Sequence, residues 1–238
     1  MKITIIGAGR AGGSFARALS DVGHDVSVHH HDDLLVGDTE DLVLLCVPDD
    51  AISAVARSLV VSARTVVAHC AGSRTLDVLA PHTRVASLHP LVPLSNVEVG
   101  AERLRGATYC VAGDDVAREV VTSLGGRSFT ISDDQRATYH AAACVAANHV
   151  VALLGHVERL AQSAGLELSD FLSLTAAALD DVAAHGPAAA LTGPASRGDV
   201  VTIDAHLAAM PASERATYVA LADAAFSLAE RRAATASL

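Results

Sequence analysis

The sequence contains no tryptophan, and aromatic residues make up only 3% of it. Much of its apolar content is alanine and valine, so core layers must be thin and helices must approach one another closely. Basic charge is also scarce: 17 Lys and Arg against 27 Asp and Glu leave a net charge of −10. Without a basic patch, a nucleic-acid partner is not expected. None of the four cysteines, Cys46, Cys70, Cys110 and Cys144, has CxxC spacing. They read as reduced, mostly buried thiols rather than disulfides or zinc ligands, and no metal is expected. Each apolar stretch is broken by His, Asp, Arg or Gly before it reaches bilayer-crossing length, which predicts no membrane partner. The opening MKITIIGAG has no basic segment ahead of a cleavage site, so it does not read as a signal peptide, and the expected location is the cytoplasm. No GxSxG elbow is present, which argues against a hydrolase.

What is present is a chain of 238 residues, 51% hydrophobic, with a mean hydropathy of +0.37. That is enough for one large or two small domains. Short, β-branched, apolar segments at 2–6, 25–29, 42–47, 65–69, 84–88, 108–111 and 127–131 predict strands. Helical patterns at 11–22, 49–61, 73–79 and 114–124 lie between them. Strands apolar on both faces, alternating with helices, predict a doubly wound, mostly parallel α/β sheet of Rossmann type. After 131 no strand pattern appears. One long helix is expected over 134–165, a second over 169–185, and two more, one from 199 or 204 to 210 and one over 212–232. The expected organisation is a dinucleotide-binding domain at 1–131 and an all-α domain at 132–238, with a frayed tail.

GAGRAGGSFARAL follows the first strand and opens the first helix. Gly7, Gly9 and Gly12 form GxGxxG in the context that makes it informative. The first glycine permits the turn, the second lets a pyrophosphate reach the backbone, and the third lets helix and strand pack closely. Ala8, Arg10 and Ala11 complete the cradle, where free helix N–H groups favour an anion. The second strand ends in HHHDD. His30 and His31 could donate to a 2′-phosphate, favouring NADP, whereas Asp32 could accept from ribose hydroxyls and favour NAD. Adjacent strand residues point to opposite faces, so residues 29–31 do not read as a metal site. The next three strand ends carry Val47, Pro48 and Asp49; His69, Cys70, Ala71, Gly72 and Ser73; and His89. All should meet at the carboxyl edge of the sheet, where ligands bind in such folds.

On the long helix, Arg136, His140, Cys144 and Asn148 recur every four residues and form one polar stripe. His140 is a candidate acid-base, Asn148 a hydrogen-bonding anchor, and Arg136 a clamp for carboxylate or phosphate. The competing reading makes Arg136 and His140 solvated first-turn residues and Cys144 core. His89 is the second acid-base candidate, and His69 ranks below it as a satisfied buried residue. In TGPASRGD, Arg197 could clamp an acidic substrate, while Asp199 reads as a helix cap.

The stretches GAGRAGGSFARAL, DLVLLCVPDDAI, VVAHCAG, SLHPL, YHAAACVAANHVVAL and ALTGPASRGD span nearly the whole chain in order. Together they resemble a Rossmann-like family whose C-terminal half carries only a domain of unknown function. That family is related to the 6-phosphogluconate dehydrogenase, 3-hydroxyisobutyrate dehydrogenase and pyrroline-5-carboxylate reductase group. The resemblance implies an NAD(P)-binding domain, a helical dimerisation domain and oxidoreductase activity on a small molecule. The His-Pro pair at 89–90 resembles one at the cleft of prephenate dehydrogenases. Two departures stand out. VPLSN replaces the family's polar and aromatic continuation after SLHPL. The related hydroxyacid dehydrogenases use a helix lysine one turn before an asparagine; the matching positions here are Cys144 and Asn148, so that chemistry does not carry over. The expectation is an NADP- or NAD-dependent homodimeric oxidoreductase of a small, anionic metabolite. The alternative is a non-catalytic dinucleotide sensor.

Overall fold

The computed structural model describes residues 1–30 and 39–236. Contacts divide the chain into two compact units, Met1–Ala147 and Asn148–Leu238. The first unit therefore runs beyond the boundary expected at 131 and takes in the start of the long helix.

In the first unit the strands are β1 (Lys2–Ile6), β2 (Asp25–His29), β3 (Leu42–Leu45), β4 (Val66–His69), β5 (Val85–Pro90), β6 (Thr108–Gly113) and β7 (Arg127–Phe129). The helices are α1 (Arg10–Asp21), α2 (Ile52–Ser58), α3 (Val97–Leu104), α4 (Val116–Ser123) and α5 (Arg136–Cys144). The strands form one sheet in the order β2-β1-β3-β4-β5-β6-β7. Every pair is parallel except β5–β6. Strand period two splits each central strand between two cores. Leu42 and Leu44 join Ile3, Ile5 and Phe15 on one face, whereas Val43 and Leu45 join Ile6, Ile52 and Leu79 on the other. Because β2 and β3 flank β1 on opposite sides, the chain reverses direction across the sheet beside β1. That switch point is where such sheets open a crevice.

Helix α3 was not expected, since Val97, Val99 and Gly100 weaken its helical pattern. Tertiary packing overrides that weakness. Asn96 caps it by accepting from the Val99 N–H at 2.9 Å. A Cβ at Gly100 would lie 2.1 Å from Ser14 Oγ on α1, and one at Gly13 would lie 2.7 Å from Val97 Cγ2. The sparing use of aromatics shows here as two helices in near-backbone contact. The helix expected over 73–79 is reduced to one 3-10 turn, Leu76–Leu79.

The second unit holds α6 (Val150–Ser163), α7 (Ser169–His185), α8 (Pro187–Ala190), α9 (Gly193–Ser196), α10 (Val200–Ala209) and α11 (Arg215–Ala236). Gly165, at φ +75°, ends α6 as anticipated. The described part of the tail, through Ala236, is helical rather than frayed, and Arg232 donates to the carbonyls of Leu191 and Ser196, both at 3.1 Å.

Between α5 and α6 lies a π-helical turn, Val145–His149. The joined run Asp133–Ser163 contains an 18-residue window of mean hydropathy 1.3, of which 6% is buried, so by length and composition it is long enough to cross a bilayer. The sequence reading excluded any such run on the ground that His, Asp, Arg or Gly breaks each apolar stretch, but the histidines at 140 and 156 do not break this helix.

Packing gives opposite expectations for two glycines. Gly100→Leu should lower stability by about 1–3 kcal/mol through overpacking against α1. Gly155→Ala, whose Cβ would meet only Arg159 Nη1 at 3.6 Å, should raise it by up to about 1 kcal/mol. Urea denaturation of each variant measures both.

Candidate functional site

Strand β1 leads directly into the glycine turn. Gly7 holds φ +109°, and a Cβ there would sit 2.5 Å from the Cys46 carbonyl oxygen. A Cβ at Gly12 would sit 1.8 Å from the Gly7 carbonyl oxygen. Gly9 is the reverse case: among the described residues nothing lies within 4 Å of where its Cβ would be. The backbone there borders open space. The Gly13 N–H bonds back to the Gly9 carbonyl at 2.9 Å, and the N–H groups of Arg10, Ala11 and Gly12 precede the helical ladder. Ala8, Gly9 and Arg10 are exposed, and no acidic side chain occupies the first turn. Two glycines that tolerate no side chain and one that faces space fit a pyrophosphate cradle.

His30 follows β2 and is exposed. His31 and Asp32, named above as the NADP and NAD alternatives, lie outside the described residues. After β3, Val47 is half-buried and Pro48 and Asp49 are exposed. Ser73 donates to Asp49 Oδ2 at 2.8 Å, which ties the loops after β3 and β4 together. Cys70 is half-buried with its Sγ 3.8 Å from Cys46 Sγ, and Ala71 and Gly72 are buried.

His69 is a satisfied core residue. Its Nδ1 accepts from the Ala71 N–H at 3.2 Å, and Nε2 faces the Thr75 carbonyl at 3.3 Å. Burial lowers its pKa to about 4. His89 is different. A Cβ on Gly72 would lie 2.7 Å from His89 Cε1, 2.8 Å from His89 Nε2 and 2.7 Å from His140 Cδ2. Both imidazoles thus close over a bare backbone position. Their ring centroids are 6.0 Å apart. His89 Nδ1 lies 2.6 Å from the Tyr139 hydroxyl. Burial, reinforced by His140, lowers the His89 pKa to about 4, so the ring is neutral at pH 7. Burial also pushes the Tyr139 phenol up, keeping it protonated. With Tyr139 donating to Nδ1, the His89 ring proton sits on Nε2, beside Gly72.

Arg136 is buried, 2% exposed, rather than solvated. Among the described residues none of its three guanidinium nitrogens has a hydrogen-bond partner. The carboxylate of exposed Asp133 lies 3.7 Å from Nε. The Arg136 charge contributes to lowering both His69 and His89. Cys144 Sγ lies 4.0 Å from each ring nitrogen of His140, the outer limit of a sulfur hydrogen bond.

The four-residue stripe does not persist. The π turn changes the helical pitch after Cys144, and Asn148 is exposed and belongs to the second unit. Arg197 is exposed in that unit too. It pairs with Asp199 at 3.3 Å, while Asp199 caps α10 by accepting from the Thr202 N–H. Tyr139 was missed in the sequence. Its signal was scarcity: it is one of three tyrosines, and a phenol beside a histidine on a helix bordering a sheet edge needs a partner.

Residues 108–225 match the family model of a domain of unknown function, DUF2520. No curated protein matches the sequence. Solved structures do match the fold. A protein of Thermotoga maritima aligns with a TM-score of 0.76 at 22% identity, covering 96% of this chain and 98% of that one. A 1-pyrroline-5-carboxylate reductase of Streptococcus pyogenes aligns at 0.62 and 17%, covering 95% and 98%. A reductive aminase of Aspergillus terreus, in complex with NADPH and ethyl levulinate, aligns at 0.67 and 18%, covering 94% and 93%. These likenesses show a Rossmann-like fold followed by helices, and they fit the resemblance drawn from the motifs.

Two neutral histidines, buried His69 and half-buried His89, link stability to pH. Both have folded pKa values below the usual 6.5, so the unfolded chain takes up protons first on acidification. Stability should be unaffected by them above pH 6.5. It should fall between pH 6.5 and 4 by up to about 1.4 kcal/mol per pH unit for each histidine. Urea titrations of wild type and His89→Asn across that window measure the difference; equal slopes would remove His89 from the account.

Proposed function

We propose that the protein is an NADP(H)-dependent oxidoreductase that interconverts a carbonyl or imine with the alcohol or amine on a small anionic metabolite. The observation that carries this reading is the shared sheet edge. The open backbone at Gly9 ends β1, while β4 and β5 bring Gly72 and His89 to the same edge, with His140 closing on Gly72. The NADPH bound by the A. terreus reductive aminase supports the choice of cofactor.

Residues 7–12 would hold the pyrophosphate, and Val47, Pro48, Cys70, Ala71 and Gly72 would border the dinucleotide. His30 and His31 would serve the ribose end, where imidazole donors suit a 2′-phosphate. A bound nicotinamide supplies the hydride. The chain supplies the proton and the field. His89 Nε2–H donates to the substrate oxygen or nitrogen, with Tyr139 fixing the ring, and His140 is the adjacent acid-base. Arg136 is a buried cation with no hydrogen-bond partner among the described residues, and the Asp133 carboxylate 3.7 Å from its Nε is exposed. Its charge favours a substrate that carries a carboxylate or phosphate. Residues of the first unit alone carry this reading. Its cellular setting is the cytoplasm, where unbridged thiols as close as Cys46 and Cys70 stay reduced. Two copies would pair through the second unit, which exposes Leu172, Leu174 and Leu179 on α7 and Val201 on α10.

Calorimetric titration should give tight binding of NADPH and weaker binding of NADH, and Gly9→Val should abolish both. Retained affinity in Gly9→Val would reduce the glycine turn to a plain corner. In a carbonyl and imine screen run with NADPH, His140→Ala should lower turnover about 10²-fold with little change in NADPH affinity. Unchanged turnover would remove His140 as acid-base, and binding without turnover of any substrate would favour the sensor. Light scattering should return a dimer, and Leu174→Glu a monomer.

A further inference from the structure

Two thiols that hydride transfer does not need lie beneath the glycine turn. Cys46 and Cys70 each stand one residue past Leu45 and His69, which are register partners on parallel β3 and β4. Adjacent strands run about 4.8 Å apart, inside the range of roughly 4.4–6.8 Å between Cα atoms that a disulfide spans. The two Sγ atoms are already 3.8 Å apart. A bond between them has a length of about 2.05 Å, so it draws together the loops that follow β3 and β4.

The two thiols differ in access. Cys46 is 9% exposed, and its hydrogen bond with Cys70 and its burial push its pKa up. Cys70 is half-buried at the carboxyl edge of the sheet, so it is the member that a small oxidant meets. Cys46 also supports the glycine turn. A Cβ at Gly12 would lie 3.3 Å from Cys46 Cβ, and one at Gly7 would lie 2.5 Å from the Cys46 carbonyl oxygen. Movement of Cys46 is therefore felt directly under the cradle.

We propose that Cys46 and Cys70 are a peroxide-sensitive modification site that closes to a reversible disulfide and thereby weakens dinucleotide binding. The Cys70 sulfur attacks one peroxide oxygen, the O–O bond breaks, and Cys70 becomes a sulfenic acid as the other oxygen leaves in water with the Cys70 proton. Cys46 then attacks the Cys70 sulfur, and its proton joins the departing hydroxide as a second water. The two thiols lose two electrons and the peroxide gains them. The disulfide does not depend on dinucleotide binding, whereas its effect on affinity rests on the reading proposed above.

The test is mass spectrometry of the full chain after hydrogen peroxide, with tryptic digestion in the absence of reductant. Trypsin cuts at Arg57 and Arg64, so Cys46 and Cys70 fall in separate peptides. A linked pair of these peptides, parted by dithiothreitol, is expected, while buried Cys110 stays a thiol. The oxidised protein should bind NADPH about tenfold or more weakly, with affinity restored by dithiothreitol. In Cys46→Ala, Cys70 has no resolving partner, and peroxide should carry it to a sulfinic acid that dithiothreitol does not reverse. Wild type that reacts in that same way, or that keeps both thiols, overturns the proposal. Linkage of Cys110 to the same extent marks scrambling in an unfolded chain and also overturns it. A linked pair with unchanged NADPH affinity overturns the coupling. If the reduced protein binds no NADPH, the coupling falls with the dinucleotide reading, and the peptide masses still decide the disulfide.

Discussion

The first unit depends on places where backbone meets backbone with no side chain between. Helix α1 can begin beside β1 only because Gly12 presents a bare Cα to the Gly7 carbonyl. The same helix meets α3 through Gly13, Ser14 and Gly100. Alanine and glycine thus do the spacing that larger residues do elsewhere, and cohesion comes from many close contacts rather than a few large side chains. That is how a chain with 3% aromatic residues closes a seven-stranded sheet.

The same economy of side-chain volume operates at the sheet edge. Gly72 leaves room for two imidazoles, and burial keeps His89 neutral. A neutral ring held by Tyr139 is a directional donor, whereas Arg136 is a fixed charge with the Asp133 carboxylate 3.7 Å from its Nε. One group orients and the other attracts. Their closeness is electrostatically consistent, because the guanidinium favours the uncharged form of each histidine near it.

The sheet was largely legible in the sequence, because strands buried on both faces leave continuous apolar runs and the glycine turn has one mechanical solution. Helix α3 was not, since its helicity depends on α1, a partner distant in the chain. The fate of the histidines was only half visible. His69 and His89 both end strand patterns, but whether backbone groups or a tyrosine satisfy each one depends on how neighbouring loops fold back. Arg136 was misjudged in the structural alternative because a first-turn arginine normally reaches water. Asn148 was grouped with His140 on the assumption of uniform α pitch, and five residues of π helix break that assumption.

The π turn has a further meaning. A π turn accommodates one extra residue within an α-helix. Five residues at that wider pitch advance around the axis about as far as four at 100° each. The count of residues per turn is thereby offset by one across Val145–His149. A four-residue spacing read straight through it, such as Cys144 to Asn148, does not mark one face.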